Sequence, residues 1–280
     1  MTTRILSGLR ATAGRGLRHL PPARRQRWSL ATAALRAYGP GAGGVFLDAG
    51  CGDGLFTARL ARTDPTRRIL AVDLSEAAVR AAAAEQRRLG LANVLVVRAD
   101  LTRAVFRPRF DVVFALECLS EIPDDAAALR TMARALRPGG LFVGHVPLAD
   151  WRPVLRGSAA RWRHEVRHGY HPDDLAGRLR AAGLHVHAIR LTQRNVVTAA
   201  QELRDRWKAA HRVAQAALYP TMVAAAVLDT AGLTWGPPRG ALVVARRVGA
   251  TANDLPSRPA VEGSDLWSPS TETTAGRPSP

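Results

Sequence analysis

Residues 45–57 read Val-Phe-Leu-Asp-Ala-Gly-Cys-Gly-Asp-Gly-Leu-Phe-Thr, an apolar run that closes on a carboxylate and opens into alternating glycines. The run suits a buried strand with Asp48 near its end. Gly50, Gly52 and Gly54 suit a tight turn whose backbone can approach a ligand with no Cβ in the way. A helix-compatible segment follows. Loops of this kind hold nucleotide-like cofactors, and two patterns fail here. The dinucleotide fingerprint needs a third glycine three residues after the second, where this chain has Leu55. The P-loop needs a Gly-Lys-Ser/Thr that does not follow.

Outward from this loop, strands alternate with helical patterns. Strands are expected at 44–49, 68–73, 94–99, 110–116 and 140–146, with helical patterns between the first four and a helix over 124–137. Several of these strands are near-continuous Val/Leu/Ile/Phe runs, as expected where helices cover both faces of a sheet. Before them, 23–38 can form a helix with Trp28 and Leu35 turned inward, ended by Gly39-Pro40-Gly41. After them come a helix over 172–182, strands at 185–192 and 240–246, and a mainly helical insertion at 198–231. The expected domain spans 23–250, with a core at 40–148 and an acceptor or lid region at 149–171. A basic flexible arm (1–22) precedes it. A tail (251–280), about half Pro, Ser, Thr and Gly, has the composition of disorder.

The chain of 280 residues carries a formal charge of +17, and Lys208 is its only lysine. Residues 1–47 hold eight arginines and no acid. Such an excess fits an anionic membrane surface or an acidic substrate as well as RNA. No apolar run reaches the roughly 18 residues of a membrane span, and no secretory signal is evident. Cys51 and Cys118 suit free thiols in a reducing compartment, so a cytoplasmic setting is expected, with peripheral membrane contact compatible.

Further motifs sharpen the loop. The second strand ends Leu-Ala-Val-Asp-Leu-Ser, placing Asp73 at its carboxyl edge about twenty residues beyond the glycines, where a carboxylate can accept from a ribose diol. The third ends at Asp100. The fourth, Phe-Asp-Val-Val-Phe-Ala-Leu, leads into Glu-Cys-Leu-Ser-Glu-Ile-Pro-Asp, and Leu-Arg-Pro-Gly-Gly opens the fifth. In this order and spacing, residues 40–148 resemble the class I S-adenosylmethionine-dependent methyltransferases. The resemblance implies an α/β, doubly wound, mostly parallel seven-stranded sheet. It also implies S-adenosylmethionine as cofactor, held by Asp48, Gly50, Cys51, Gly52, Asp73, Leu74, Asp100, Leu101 and Leu116. Asp100 would contact the adenine amine.

Methyl transfer from a sulfonium is an in-line displacement, helped mainly by alignment and, for an oxygen nucleophile, by a base. Candidate catalytic residues are His145, Glu117 and Glu121. Glu117-Cys118-Leu119-Ser120-Glu121 resembles the Glu-x-x-Glu-His of quinone-type O-methyltransferases, with Ser120 and Glu121 in place of the final pair, so no metal site is expected. Glu117 and Glu121 would share a face if the segment is helical, and a surface pair is the plainer alternative. His145 suits the acceptor side or a hydrogen-bonded core position. Trp162, His168, Tyr170 and His171 could form a substrate-facing lid, or the segment could be a solvated basic face. The expected acceptor is a small or lipid-like molecule, O-methylated. An RNA methyltransferase and a non-catalytic cofactor-binding protein are the alternatives, and the first lacks both an Asp/Asn-Pro-Pro-aromatic signature and a Pro-Cys loop.

Overall fold

The computed structural model describes residues 20–158, 166–206, 220–221, 223–229 and 233–249. The expected arm up to residue 19 and the tail from 251 lie outside them, as does Trp162. Helix α1 (Pro22–Tyr38) is followed by β1 (Val45–Ala49), α2 (Leu55–Thr63), β2 (Arg68–Asp73), α3 (Glu76–Leu89), β3 (Val94–Arg98) and β4 (Phe110–Leu116). Then come α4 (Asp125–Ala135), β5 (Leu136–Pro147), α5 (Pro172–Ala181), β6 (Leu184–Thr192), α6 (Asn195–Arg206) and β7 (Gly240–Arg247).

The seven strands form one sheet in the order β3-β2-β1-β4-β5-β7-β6. The first five run parallel, and β7 lies antiparallel between β5 and β6. The central strands are apolar on both faces because both faces are covered. Leu47, Val113 and Phe142 pack with Leu129 and Met132 of α4 and Leu175 of α5. Phe46, Val112 and Val143 pack with Leu30 and Leu35 of α1 and Leu60 of α2. Each large side chain so buried contributes roughly 1.5–3 kcal/mol. Trp28 is partly buried against this second cluster and stacks on Phe56.

Local signals set the boundaries. Ser75 caps α3, its hydroxyl accepting from the Ala78 N–H, and Gly90 ends that helix in the left-handed region. Asp124 caps α4 in the same way. Two expectations are corrected. Residues 99–109 between β3 and β4 form turns with no helix; the Asp100 carboxylate accepts from the Thr102 N–H and hydroxyl, holding a turn, and Pro108 follows. The helix expected over 124–137 stops at Ala135, and β5 begins earlier, with Leu136 paired to Phe110 before a register shift.

Candidate functional site

The glycine loop lies at the carboxyl edge of β1, where ligands bind in open α/β sheets. Gly50, Gly52 and Gly54 all have positive φ, at 74°, 54° and 72°. The Gly50 and Cys51 N–H groups donate to the Val72 carbonyl at 2.8 and 2.9 Å, which ties the loop to β2. A Cβ on Gly50 would stand 2.3 Å from that of Cys118, so the loop and the turn after β4 touch through bare backbone. A Cβ on Gly52 would meet nothing within 4 Å.

Beside the loop opens a cleft of about 840 Å³, within the usual range of ligand sites. Gly50, Gly52, Asp73, Leu74, Asp100 and Leu101 line one side, and Cys118, Glu121 and Ile122 the other. Asp73 accepts from the Gly52 N–H with one oxygen and from the Ser75 N–H with the other, both at 2.9 Å. This orients the carboxylate while each oxygen keeps a lone pair for a ligand hydroxyl. The Thr102 hydrogen bonds hold the Asp100 carboxyl below the usual range. Three residues assigned to the cofactor do not line the cleft. Asp48 is buried and accepts from the Thr57 hydroxyl at 2.5 Å, linking β1 to α2. Burial pushes its carboxyl up to about 6, against the Thr57 hydrogen bond. Cys51 and Leu116 are buried below the loop and at the end of β4. Burial pushes the Cys51 and Cys118 thiols well up, so neither is a thiolate at neutral pH.

A second cluster sits across the β4 turn. Glu117, at φ 69°, places its carboxylate between the Arg27 guanidinium at 3.2 Å and His145 Nδ1 at 2.5 Å. His145 is fully buried on β5, and its Nε2 lies 2.8 Å from the Thr192 hydroxyl at the end of β6. A carboxylate can only accept, so Nδ1 carries the proton and Nε2 accepts from Thr192. A Cβ on Gly240 would stand 2.5 Å from His145 Cε1, so this ring position requires the glycine that opens β7. Burial alone would raise the Glu117 carboxyl, but Arg27 and then His145 bring it down to about 2. Burial lowers His145 against the pull of Glu117. Arg239 adds positive potential toward Glu117, and its guanidinium stacks on Trp151 at 4.0 Å.

Residues 46–140 match the family model described as a methyltransferase domain. Residues 46–140 of this chain are thus a methyltransferase domain. Among curated relatives of this methyltransferase, a ubiquinone biosynthesis O-methyltransferase of Ralstonia nicotianae is 29% identical over 184 residues, covering 62% of this chain and 74% of the relative. The Xylella fastidiosa protein of the same name is 32% identical over 158 residues, covering 52% of this chain and 63% of its own length. The chain thus spans 74% and 63% of these two relatives' lengths. Among solved structures, the [4+2]-cyclase SpnF superposes with a TM-score of 0.60 at 23% identity, covering 80% of this chain and 82% of that one. A Haemonchus contortus phosphoethanolamine N-methyltransferase bound to S-adenosylmethionine gives 0.55 at 18% identity, covering 79% and 53%. At these identities the likeness is one of fold, and a neighbour named as a cyclase shows that the fold alone does not set the chemistry.

For this methyltransferase several expectations need correction. Glu117 and Glu121 share no helical face, because Glu117 adopts a left-handed backbone and only Leu119–Glu121 form a short 3-10 turn. Tyr170 does not face a substrate: it is buried, and its hydroxyl donates to the Asp125 carboxylate at 2.7 Å with the Leu119 carbonyl 3.1 Å away. His171 is exposed beside Asp150, and His168 stacks on Trp151. Arg27, Thr192, Gly240 and Arg239 escape sequence reading. The only local signal was for α1 as a helix, with nothing to say that Arg27 would meet Glu117.

Proposed function

We propose that the chain transfers the methyl group of S-adenosylmethionine to an oxygen of a small or lipid-like acceptor. The observation that carries this reading is the juxtaposition of a glycine-lined cleft bearing Asp73 and Asp100 with an oriented Glu117, ionised at neutral pH, across a single turn. The similarity to curated O-methyltransferases supports oxygen as the nucleophile. The open space beside Gly52 and the two carboxylates at successive strand ends fit the donor. Asp73 would take its ribose hydroxyls, Asp100 its adenine amine, and the glycine backbone its amino-acid end. When bound, the donor supplies an electrophilic methyl on a sulfonium.

In this reading the chain's own groups provide alignment, which is the main need of an in-line displacement. Glu117 accepts a hydrogen bond from the acceptor hydroxyl and turns its lone pair toward the cleft. Held near a pKa of about 2, it aligns that hydroxyl but is a poor store for its proton. Glu121, on the cleft wall, passes the proton to solvent. His145 touches no acceptor, because both ring nitrogens are engaged; it and Arg27 are positioning residues.

The test is an assay with methyl-labelled donor and cell extract, its products divided into lipid, polar and nucleic-acid fractions. Label in the organic or polar small-molecule fraction is expected. Label confined to RNA would replace this reading with the nucleic-acid alternative that the charge of +17 allows. Absence of label with intact donor binding would leave a non-catalytic protein.

A further inference from the structure

Eleven large apolar side chains are exposed among the described residues, and four of them fall within nine positions: Val227, Leu228, Leu233 and Trp235. Leu233 and Trp235 are 68% and 74% exposed, values that a folded chain rarely grants to adjacent large side chains without a use. The segment is held from beneath. Asp229 is buried and accepts from Gln26, Thr234 and the Gln193 and Arg194 N–H groups, which pins the end of helical residues 223–229 to α1 and to the turn after β6. The Arg194 guanidinium donates to the Gly236 carbonyl at 2.9 Å. The apolar groups are therefore presented on an anchored backbone.

The topology fixes which side of the molecule this is. Because β7 runs antiparallel to β5, its first residue Gly240 pairs with Pro147 at the carboxyl edge. Arg239 donates there to the Thr192 and Gln193 carbonyls. Trp235 thus lies just outside the edge that carries Glu117 and the cleft. The charge of the segment is one-sided. Between Arg206 and Asn253 the sequence has one acid, Asp229, and that carboxylate is turned inward.

We propose that Val227, Leu228, Leu233 and Trp235 dock this chain on an anionic lipid bilayer, with the carboxyl edge facing the lipid. Apolar side chains and an interfacial tryptophan insert to the depth of the headgroups, and arginines meet anionic lipid. A second copy is the less suitable occupant, because two chains of charge +17 repel each other. The inference rests on the proposed function only for its consequence, that a lipid-like acceptor enters from the membrane.

The experiment is flotation of the full chain with vesicles of phosphatidylcholine alone or with one third phosphatidylglycerol, at low and high salt. The paired variant is Leu233→Ser/Trp235→Ser, and calorimetric binding of S-adenosylhomocysteine serves as its folding control. Wild type is expected to float with the anionic vesicles and to keep part of that binding at high salt. The variant should bind them at least about tenfold more weakly and lose the salt-resistant part, with cofactor affinity unchanged. Equal flotation of variant and wild type would overturn the proposal. So would failure of wild type to float, or loss of a dimer in the variant with flotation intact. The readout needs no turnover, so a failed methyl-transfer assay leaves it standing and a failed flotation leaves that assay untouched.

Discussion

The carboxyl edge of the sheet has two halves built in different ways. On the β1–β3 half, the cleft is made of backbone and two carboxylates, each at a fixed offset from the end of its own strand. On the β4–β7 half, a chain of side chains runs from Arg27 through Glu117 and His145 to Thr192, joining α1, β4, β5 and β6. The first half is a local construction that any sequence with the right strand endings can make. The second exists only once distant elements have packed. In the proposed function, donor binding belongs to the local half, and the choice and alignment of acceptor to the assembled one.

The largest expected effect breaks the contact between the halves. Gly50→Ala would force a Cβ against Cys118 at a backbone φ of 74°. A loss of about 2–4 kcal/mol in stability is expected, with donor binding abolished. Thermal melting and calorimetry check both. Glu117→Gln comes next. It should lower kcat about tenfold to a hundredfold at saturating donor, as measured with any acceptor the label assay identifies. The donor Kd should stay within about twofold, since Glu117 is outside the cleft lining. If both constants move together, the division into halves is wrong.

Acid melts sharpen the comparison further. The Glu117 carboxyl is depressed from 4.5 to about 2, so its stabilising contribution is complete above pH 4.5 and is lost as pH falls toward 2. Glu117→Gln should be less stable than wild type at pH 6, and the gap should shrink below about pH 4. Asp48 has the opposite sign. Its carboxyl is raised from 3.8 to about 6, so the ionised form burdens the fold above pH 6 and the burden is relieved as pH falls toward 4. Asp48→Asn keeps an acceptor for Thr57 and should gain about 1 kcal/mol at pH 8, with the gain fading by pH 5. This is the smallest effect, read by chemical denaturation at the two pH values.

The same contrast explains what was legible in the sequence. The expected strands at 68–73 and 110–116 coincide with β2 and β4, because period and apolar runs are local signals. Asp73 and Asp100 could be placed at the ends of their strands, where they line the cleft, for the same reason. Whether Glu117 and Glu121 share a helical face could not be settled, because four-residue spacing carries no information about a left-handed backbone at its first member. Thr192 and Gly240 could not be found, since their importance is to a histidine 47 and 95 positions away. Asp48, at the heart of the opening motif, was assigned to the ligand. It instead braces β1 against α2 through Thr57.

One titration addresses the central claim most directly: S-adenosylmethionine binding to wild type and to Asp73→Ala, followed calorimetrically. Removing the carboxylate takes away the proposed ribose partner and the acceptor that orients the Gly52 and Ser75 N–H groups. The account predicts at least about a hundredfold loss of affinity, roughly 3 kcal/mol, in a variant that still melts cooperatively. An unchanged Kd in that folded variant would contradict it.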